Sequence, residues 1–473
     1  MTVVRFGLAF ALALSCSASK AADFAKTGPG ASAASLIAAR GNVNEPAVEF
    51  IYKIEGSDPG TITVDLAQDF VSLSKDRTLL IYDFALRRLI TIDDASHSFL
   101  NASLYGAVDF FVSETFNRRF QRGALSSIKV SDQVRMLDPF WVQSQLHVMS
   151  PEDGTPKIER RAAATGTVHF LYGGAEIASY TPSTQALTKE NGALLAKFLR
   201  YYGSLHPVVV DDIVASGRLP QRLSFESVGP EKTSDNVWTL QSAQPVHAVY
   251  PLLTTSKLTF PSFTGAASSV ASLVPTMQAA IAGKAPGRRT AEESRAATEA
   301  ALKAQKPFQA LLLALELNEQ FGKQAAGCVN PQGCHTLKEI VAAAGRDPRT
   351  PVLLKALEDN SSDKNVAIPS LQSMKRDDLS NAYVLDEFLA NDLMMAGRPD
   401  EALPPFVSAI KGNPYLAGYY KDLGSLFRAR FQPDLAWFCF DMGRALPGGA
   451  DAPILSDING YEADLAKKYP EFF

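Results

Sequence analysis

Residues 383–447 read YVLDEFLANDLMMAGRPDEALPPFVSAIKGNPYLAGYYKDLGSLFRARFQPDLAWFCFDMGRALP, and this stretch carries the strongest organisation in the chain. Shifted by 34 places, Leu389 falls on Leu423, Ala390 on Gly424, Ala402 on Ala436 and Phe406 on Phe440. Pro414 returns one place early as Pro447. A helical hairpin explains the pattern. Small residues let two helices approach, large ones fill the space between them, and proline ends the second helix.

Two copies of this unit resemble the tetratricopeptide repeat family. Gly397-Arg-Pro-Asp-Glu-Ala402-Leu-Pro-Pro-Phe406 follows the family's turn and second helix, and Leu423-Gly424 its first-helix signature. The first copy departs at Asp386, where a large residue is usual. Lys306-Pro-Phe-Gln-Ala310 to Ala314 reads as the second helix of a degenerate hairpin, and residues 335–375 carry further helices in weak register. The resemblance implies a groove lined by the first helix of each hairpin. Its groove positions here include Glu387, Asn391, Met394 and Met395 in one copy, and Lys421, Ser425 and Arg428 in the next. Asn391, Lys421 and Arg428 are suited to hold a peptide backbone or carboxylate. Met394 and Met395 would give an adaptable apolar floor. The implied partner is another protein or peptide.

Upstream the period changes from helical to alternating. Residues 46–257 hold short runs rich in β-branched and aromatic residues: Val48–Ile54, Gly60–Leu66, Arg77–Asp83, Arg88–Asp93, His97–Ala102, Gln221–Val228 and Asn236–Gln241. Such spacing predicts an antiparallel meander. Gly173-Gly174 between Thr167–Tyr172 and Ala175–Thr181 predicts a two-residue hairpin turn. Residues 105–122 and 188–202 place apolar side chains at helical spacing and predict two helices, either of which could cover one face of the sheet. In strand–helix order alone, residues 46–255 resemble periplasmic half-barrel folds of the lipoprotein-carrier type. That resemblance implies a carrier of an apolar ligand or lipid, the alternative to a groove-binding scaffold.

The fold class is therefore α+β, with an antiparallel β-rich domain followed by an all-α, tetratricopeptide-like solenoid. The Ala/Ser/Gly-rich stretch 258–289 reads as a linker, and Thr290-Ala-Glu-Glu293 as a capping box opening the helical domain at 290–473. Residues 22–45 read as a flexible leader.

The N-terminus carries Arg5, an apolar run from Phe6 to Leu14, and a small-x-small site at Ser19-Lys20-Ala21. This is the layout of a secretory signal cleaved near Ala21 to leave a periplasmic or secreted chain. The rival is a lipoprotein anchored through Cys16, whose leucine lies one place off the required position. Export suits a disulfide between Cys328 and Cys334, closing a Val-Asn-Pro-Gln-Gly turn, while Cys439 sits in an apolar stripe as a packed hydrophobe. No segment of the mature chain is long and apolar enough to span a bilayer.

Chemistry is harder to find. A formal net charge of -4 gives no basic excess for nucleic acid. The adjacent arginines Arg87–Arg88, Arg118–Arg119, Arg160–Arg161 and Arg288–Arg289 are scattered and read as solvated faces. The chain lacks nucleophile-elbow, zinc-protease and phosphate-loop motifs, and its six histidines have no helical partners. Cys328 to His335 has the wrong spacing for haem attachment. Asp93–Asp94 and Asp211–Asp212 are adjacent pairs whose side chains diverge. The expectation is no catalytic site, no metal and no cofactor; an exported hydrolase with a site assembled from distant residues has no motif behind it.

Overall fold

The computed structural model describes residues 24–473 apart from 30, 94, 96–97, 127–134, 150–151, 155, 229–232, 254–267, 327–334, 358–363, 376–378, 380 and 450–451. The expected signal segment, with Cys16 and the expected cleavage site, and the expected Cys328–Cys334 bridge lie outside the described residues. The chain packs into two units. One comprises residues 32–261 with 431–437 and 460–473; the other comprises 262–430 and 438–459 together with the residues up to 31.

After a single turn, α1 (Phe24–Thr27), the β-rich unit opens with α2 (Ala33–Arg40). Six strands follow: β1 (Asn44–Glu55), β2 (Gly60–Ala67), β3 (Phe70–Lys75), β4 (Thr78–Asp83), β5 (Arg88–Asp93) and β6 (Ser98–Ser103). Helices α3 (Leu104–Ser126) and α4 (Pro139–Leu146) precede β7 (Ile158–Ala162), β8 (Val168–Tyr172) and β9 (Ala175–Ala186). Then come α5 (Lys189–Tyr202), α6 (Pro207–Ala215), β10 (Arg218–Val228) and β11 (Thr233–Val249).

All eleven strands form one antiparallel sheet in the order β6-β5-β4-β3-β2-β1-β11-β10-β9-β8-β7. The β1–β11 pair joins its two meanders: Phe50 faces Ala243 and Tyr52 faces Leu240 across a bulge between Ile51 and Tyr52. Bulges bend and twist a strand, and others interrupt β8–β9 and β9–β10. At the predicted hairpin, Tyr172 pairs with Ala175 across Gly173-Gly174. Both glycines take positive φ, 60° and 85°, which a two-residue turn of this hand requires.

Most of the strands turn one face onto a continuous apolar core. Phe50, Tyr52, Ile62, Val64, Leu223, Phe225 and Trp238 from the sheet meet Leu194, Leu195, Phe198 and Leu199 of α5. Phe198 stands edge-on to Phe50 at 6.0 Å, and Tyr201 stacks on Tyr82 at 5.0 Å. Thus α5 covers the sheet as expected.

Composition predicts a loose leader through residue 45, but α2 is packed. Ser32 caps its N-terminus, Leu36 is fully buried, and Arg40 is locked into the unit. The Arg40 guanidinium donates from Nη1 to Asp83 Oδ2 at 2.8 Å and from Nη2 to Glu45 Oε1 at 2.5 Å. It also lies between the rings of Phe70 and Tyr250, at 4.8 and 4.7 Å.

The segments 431–437 and 460–473 return to the β-rich unit, although the sequence places everything after 290 in one helical domain. Their anchor is Asp109, a fully buried carboxylate on α3. It accepts from Trp437 Nε1 at 3.0 Å and from the Tyr461 hydroxyl at 2.7 Å. Phe472 is buried, and its carbonyl accepts from the Tyr201 hydroxyl at 3.1 Å.

Two buried histidines give this unit an acid sensitivity. His206 accepts from the Val208 amide at Nδ1, so Nε2 carries the proton and donates to Gln143 Oε1 at 3.0 Å. His147 contacts the Gly203 carbonyl through Nε2 at 2.8 Å. Burial pushes His206 down to about 4 and His147 down to about 3. An unfolded imidazole takes a proton near 6.5, whereas these remain neutral, so their stabilising contribution is full above that pH and falls as the solution is acidified. Trp141, Trp238 and Trp437 all belong to this unit, so tryptophan fluorescence reports on it. The urea midpoint followed by that signal is expected to fall between about pH 6.5 and about pH 4. A midpoint constant over this range would contradict the assignment.

The second unit is helical. The expected linker contains α7 (Ser268–Ala271) and α8 (Val274–Ile281), the latter burying Val274, Met277 and Ala280. There follow α9 (Ala291–Lys303), α10 (Pro307–Ala326), α11 (Leu337–Ala344), α12 (Arg349–Leu357) and α13 (Lys364–Met374). The last are α14 (Tyr383–Met395), α15 (Pro399–Gly412), α16 (Ala417–Ala429), α17 (Pro433–Ala445) and α18 (Ser456–Lys468), of which the start of α17 to residue 437 and α18 from residue 460 belong to the β-rich unit. The predicted capping box at Thr290 and Glu293 is present.

This run of helices is compatible with a helical repeat solenoid. Leu389, Leu423, Ala402, Ala436, Phe406 and Phe440, the positions that define the repeat, are all buried. The period also appears in the backbone. Helices α14 and α16 start 34 places apart, as do α15 and α17, and the latter two each open on proline. The residue closing each turn is left-handed in both copies, Gly397 at φ 73° and Phe431 at φ 56°. Cys439 is buried as a small hydrophobe.

Candidate functional site: the inner face of the helical hairpins

Helices α14 and α16 present the face that the sequence marks for a partner. Asn391 is half-buried and donates from Nδ2 to Asp422 Oδ2 at 2.9 Å, tying α14 to α16. Lys421 is half-buried, and its charge favours the ionised form of Asp422. Met394 is half-buried, Met395 is 58% exposed and Arg428 is exposed. The structure therefore brings Asn391 and Lys421 together at Asp422. It leaves Met395 and Arg428 on the outer surface, near the C-terminal ends of their helices.

The inner face is not empty. Helix α10 packs against both α14 and α16. Its Glu316 is buried and accepts from the Tyr383 hydroxyl at 2.7 Å and from Asn413 Nδ2. One turn on, the stem of Glu319 is partly exposed, but its carboxyl oxygen Oε1 is buried. The Glu319 and Glu387 carboxyls lie close enough to act directly on one another's titration. Two carboxyl groups can share a hydrogen bond only if one of them keeps a proton. Glu319 Oε1 and Glu387 Oε2 have no hydrogen-bond partner, nor does the buried Tyr419 hydroxyl beside them.

Gly418 permits this approach. A Cβ there would fall on Glu319 Oε1, so α16 comes to α10 only where the side chain is missing.

Electrostatics follow from the geometry. Burial is the main reason that Glu319 is pushed up to about 8; the charges of Asp422 and Glu316 add to the effect, and the hydrogen bond to Glu387 opposes it. Glu387 is held well above the usual carboxylate range by burial, then by the charges of Glu319 and Asp422. Asp422 is also raised by burial, against the pull of Asn391 and Lys421. The inner face is thus an acidic seam between α10 and the α14–α16 pair, in which burial favours the protonated form of the carboxyls. Among the described residues no group of three or more His, Cys, Asp or Glu could hold a metal ion.

Asp386, the departure from the repeat pattern, has a polar role instead. It pairs with Lys375 and accepts from Ser408 Oγ at 2.7 Å, at the wall of a cavity of about 440 Å³ beside α13, α14 and α15. The four acids of the seam do not line this cavity.

Sequence reasoning found Glu387 and Asn391 but missed Glu316, Glu319 and Asp422. The available signal was acids set within apolar helical runs, as in Leu311 to Leu317 around Glu316. Comparison with known protein families, curated proteins and solved structures finds no match.

Proposed function

We propose that this is an exported protein-interaction protein whose tetratricopeptide-like hairpins bind a partner on the α14–α16 face. The observation that carries the reading is α10 itself. A helix of the same chain lies across that face through the Glu316–Tyr383 and Glu319–Glu387 contacts, so the face has a shape and polarity that accept a helix. Beyond α10 the same helices carry the exposed Met395 and Arg428, a flexible apolar side chain and a cation that suit a helical segment bearing a carboxylate.

Immobilised full-length chain is expected to capture a partner from extracts of the producing cell. Met395→Asp with Arg428→Glu should remove at least about nine-tenths of that capture, a loss of over 1.4 kcal/mol, with helix content unchanged. Equal capture by wild type and variant would refute the assignment. Export is tested separately: N-terminal sequencing of the mature chain should begin at Ala22.

A second reading, carriage of an apolar ligand, draws support from the β-rich unit. The inner face of its sheet is lined with aromatic side chains and covered by helices and by Phe472, not by a second sheet. Native mass spectrometry of the purified chain should then show a co-purifying lipid, and a ligand-free spectrum would count against it.

A further inference from the structure

Most of the adjacent arginines singled out in the sequence are committed. Arg118 pairs with Glu114, Arg119 with Glu152, Arg160 with Asp212 and Arg161 with Glu159. Arg88 donates to Asn101 Oδ1 at 2.7 Å, and Arg87 lies over the ring of Phe473. Arg87, whose Nη1 is also without a hydrogen-bond partner, has that ring to cover it, whereas Arg288 and Arg289 open on a cavity. Among the described residues neither has a salt-bridge partner, and Arg289 Nη1 is buried with no hydrogen-bond partner at all. A buried guanidinium nitrogen without an acceptor is costly and calls for an explanation.

Both arginines line a cavity of about 240 Å³ in the helical unit. No acidic residue lines it. The N-terminus of α9 enters it at Ala291, Gln320 of α10 adds an amide, and the rings of Phe321 and Tyr415 form an apolar wall. The capping box uses the amides of Thr290 and Glu293. The first-turn amides of Ala291 and Glu292 have no partner within the helix, as at any helix start. The Glu293 carboxylate, four residues beyond Arg289, is already bound to the Thr290 amide at 2.7 Å, and Glu292 beside it does not line the cavity. The Tyr415 hydroxyl donates to the Ala285 carbonyl at 2.7 Å, so the ring is fixed in position.

We propose that this cavity binds the phosphate group of a small phosphate monoester, with Arg288 and Arg289 as its ligands and Phe321 and Tyr415 against its organic part. Two guanidinium charges match a phosphate carrying close to two negative charges. Guanidinium forks and free helix amides are the donors that bind such oxyanions. The volume equals that of roughly eight water molecules at about 30 Å³ each, which leaves room beyond the phosphate for a group the size of a ring.

The test is calorimetric titration of the full chain at fixed ionic strength with phenyl phosphate, inorganic phosphate and phenylacetate. Phenyl phosphate is expected to bind at one site, more tightly than inorganic phosphate and far more tightly than phenylacetate. Arg288→Gln and Arg289→Gln should each weaken it by about tenfold or more, the worth of one charge-assisted hydrogen bond. Among the described residues neither guanidinium has a salt-bridge partner, so both variants should keep the wild-type melting temperature. Absence of saturable binding by either phosphate, undiminished binding in both variants, or equal affinity for phenylacetate would each overturn the proposal. A second readout needs no variant: phenyl phosphate should raise the wild-type melting temperature over phenylacetate at equal ionic strength, and no rise would overturn it.

Discussion

Between about pH 4.5 and about pH 8 the helical unit is expected to become less stable as pH rises. In the unfolded chain Glu319 and Glu387 ionise near 4.5, while in the fold both are held higher, Glu319 at about 8. The folded state therefore binds more protons than the unfolded state across this window, and stability falls with increasing pH. At about 1.4 kcal/mol per pKa unit, the loss reaches several kcal/mol. The groups acting on the pair are Glu316 from α10 and Tyr419 and Asp422 from α16. The cation Lys421 acts on Asp422, so among these groups little offsets a second negative charge. Glu387→Gln should flatten the dependence, because its amide supplies permanently the hydrogen that Glu319 otherwise obtains from a retained proton. The expected gain at about pH 8 is on the order of 2–4 kcal/mol. The readout is urea unfolding followed by the far-ultraviolet helix signal. Stability that rises over the window, or a Glu387→Gln variant less stable than wild type at the upper end, would refute the arrangement.

Replacing Arg40 should cost the β-rich unit about 3–5 kcal/mol, the usual consequence of removing one member of a buried charge cluster. Arg40, Glu45 and Asp83 all have nearly inaccessible side chains. Arg40→Met preserves much of the stem packed between Phe70 and Tyr250 but leaves two carboxylates without their cation. The loss should therefore reflect unpaired charge, which a further substitution can separate from lost packing. Adding Glu45→Gln and Asp83→Asn to Arg40→Met removes all three charges and should recover at least half of the loss, since neutral replacements of a buried cluster are tolerated far better than its partial removal. Tryptophan fluorescence in urea measures both. No recovery in the triple variant would place the cost in packing instead.

The parts of the fold that were legible have periods that the chain repeats locally. The Gly173-Gly174 hairpin, the strands of the meander and the 34-residue offset needed only neighbouring residues, and each is present. Strand β7, Ile158-Glu-Arg-Arg-Ala162, was not legible because it is an edge strand whose side chains face water, and charge is what keeps such an edge from pairing. Helix α6 opens on Pro207-Val-Val-Val210, a β-branched run that reads as strand until His206 and Pro207 start it as a helix. Helix α2 looked like filler because its anchor, Asp83, lies 43 residues away.

The site shows the same division. Asn391 and Lys421 could be placed on a helix face from the repeat alone. Their meeting at Asp422, and the arrival of Glu316 and Glu319 from α10, depend on partners 31 to 97 residues apart, for which no local pattern exists. The arginine pair at 288–289 looked no different in sequence from its three counterparts. The acids that meet the pairs at 118–119 and 160–161, and the shared cavity that 288–289 lines, appear only in space.

Hydrogen exchange at about pH 8, comparing wild type with Glu387→Gln, tests most directly whether α10 is held on the α14–α16 face by a retained proton. The expected result is slower exchange in the variant across α10, α14 and α16 together, with the strands of the β-rich unit unchanged. Unaltered exchange in α10, or protection confined to the turn around residue 387, would contradict it.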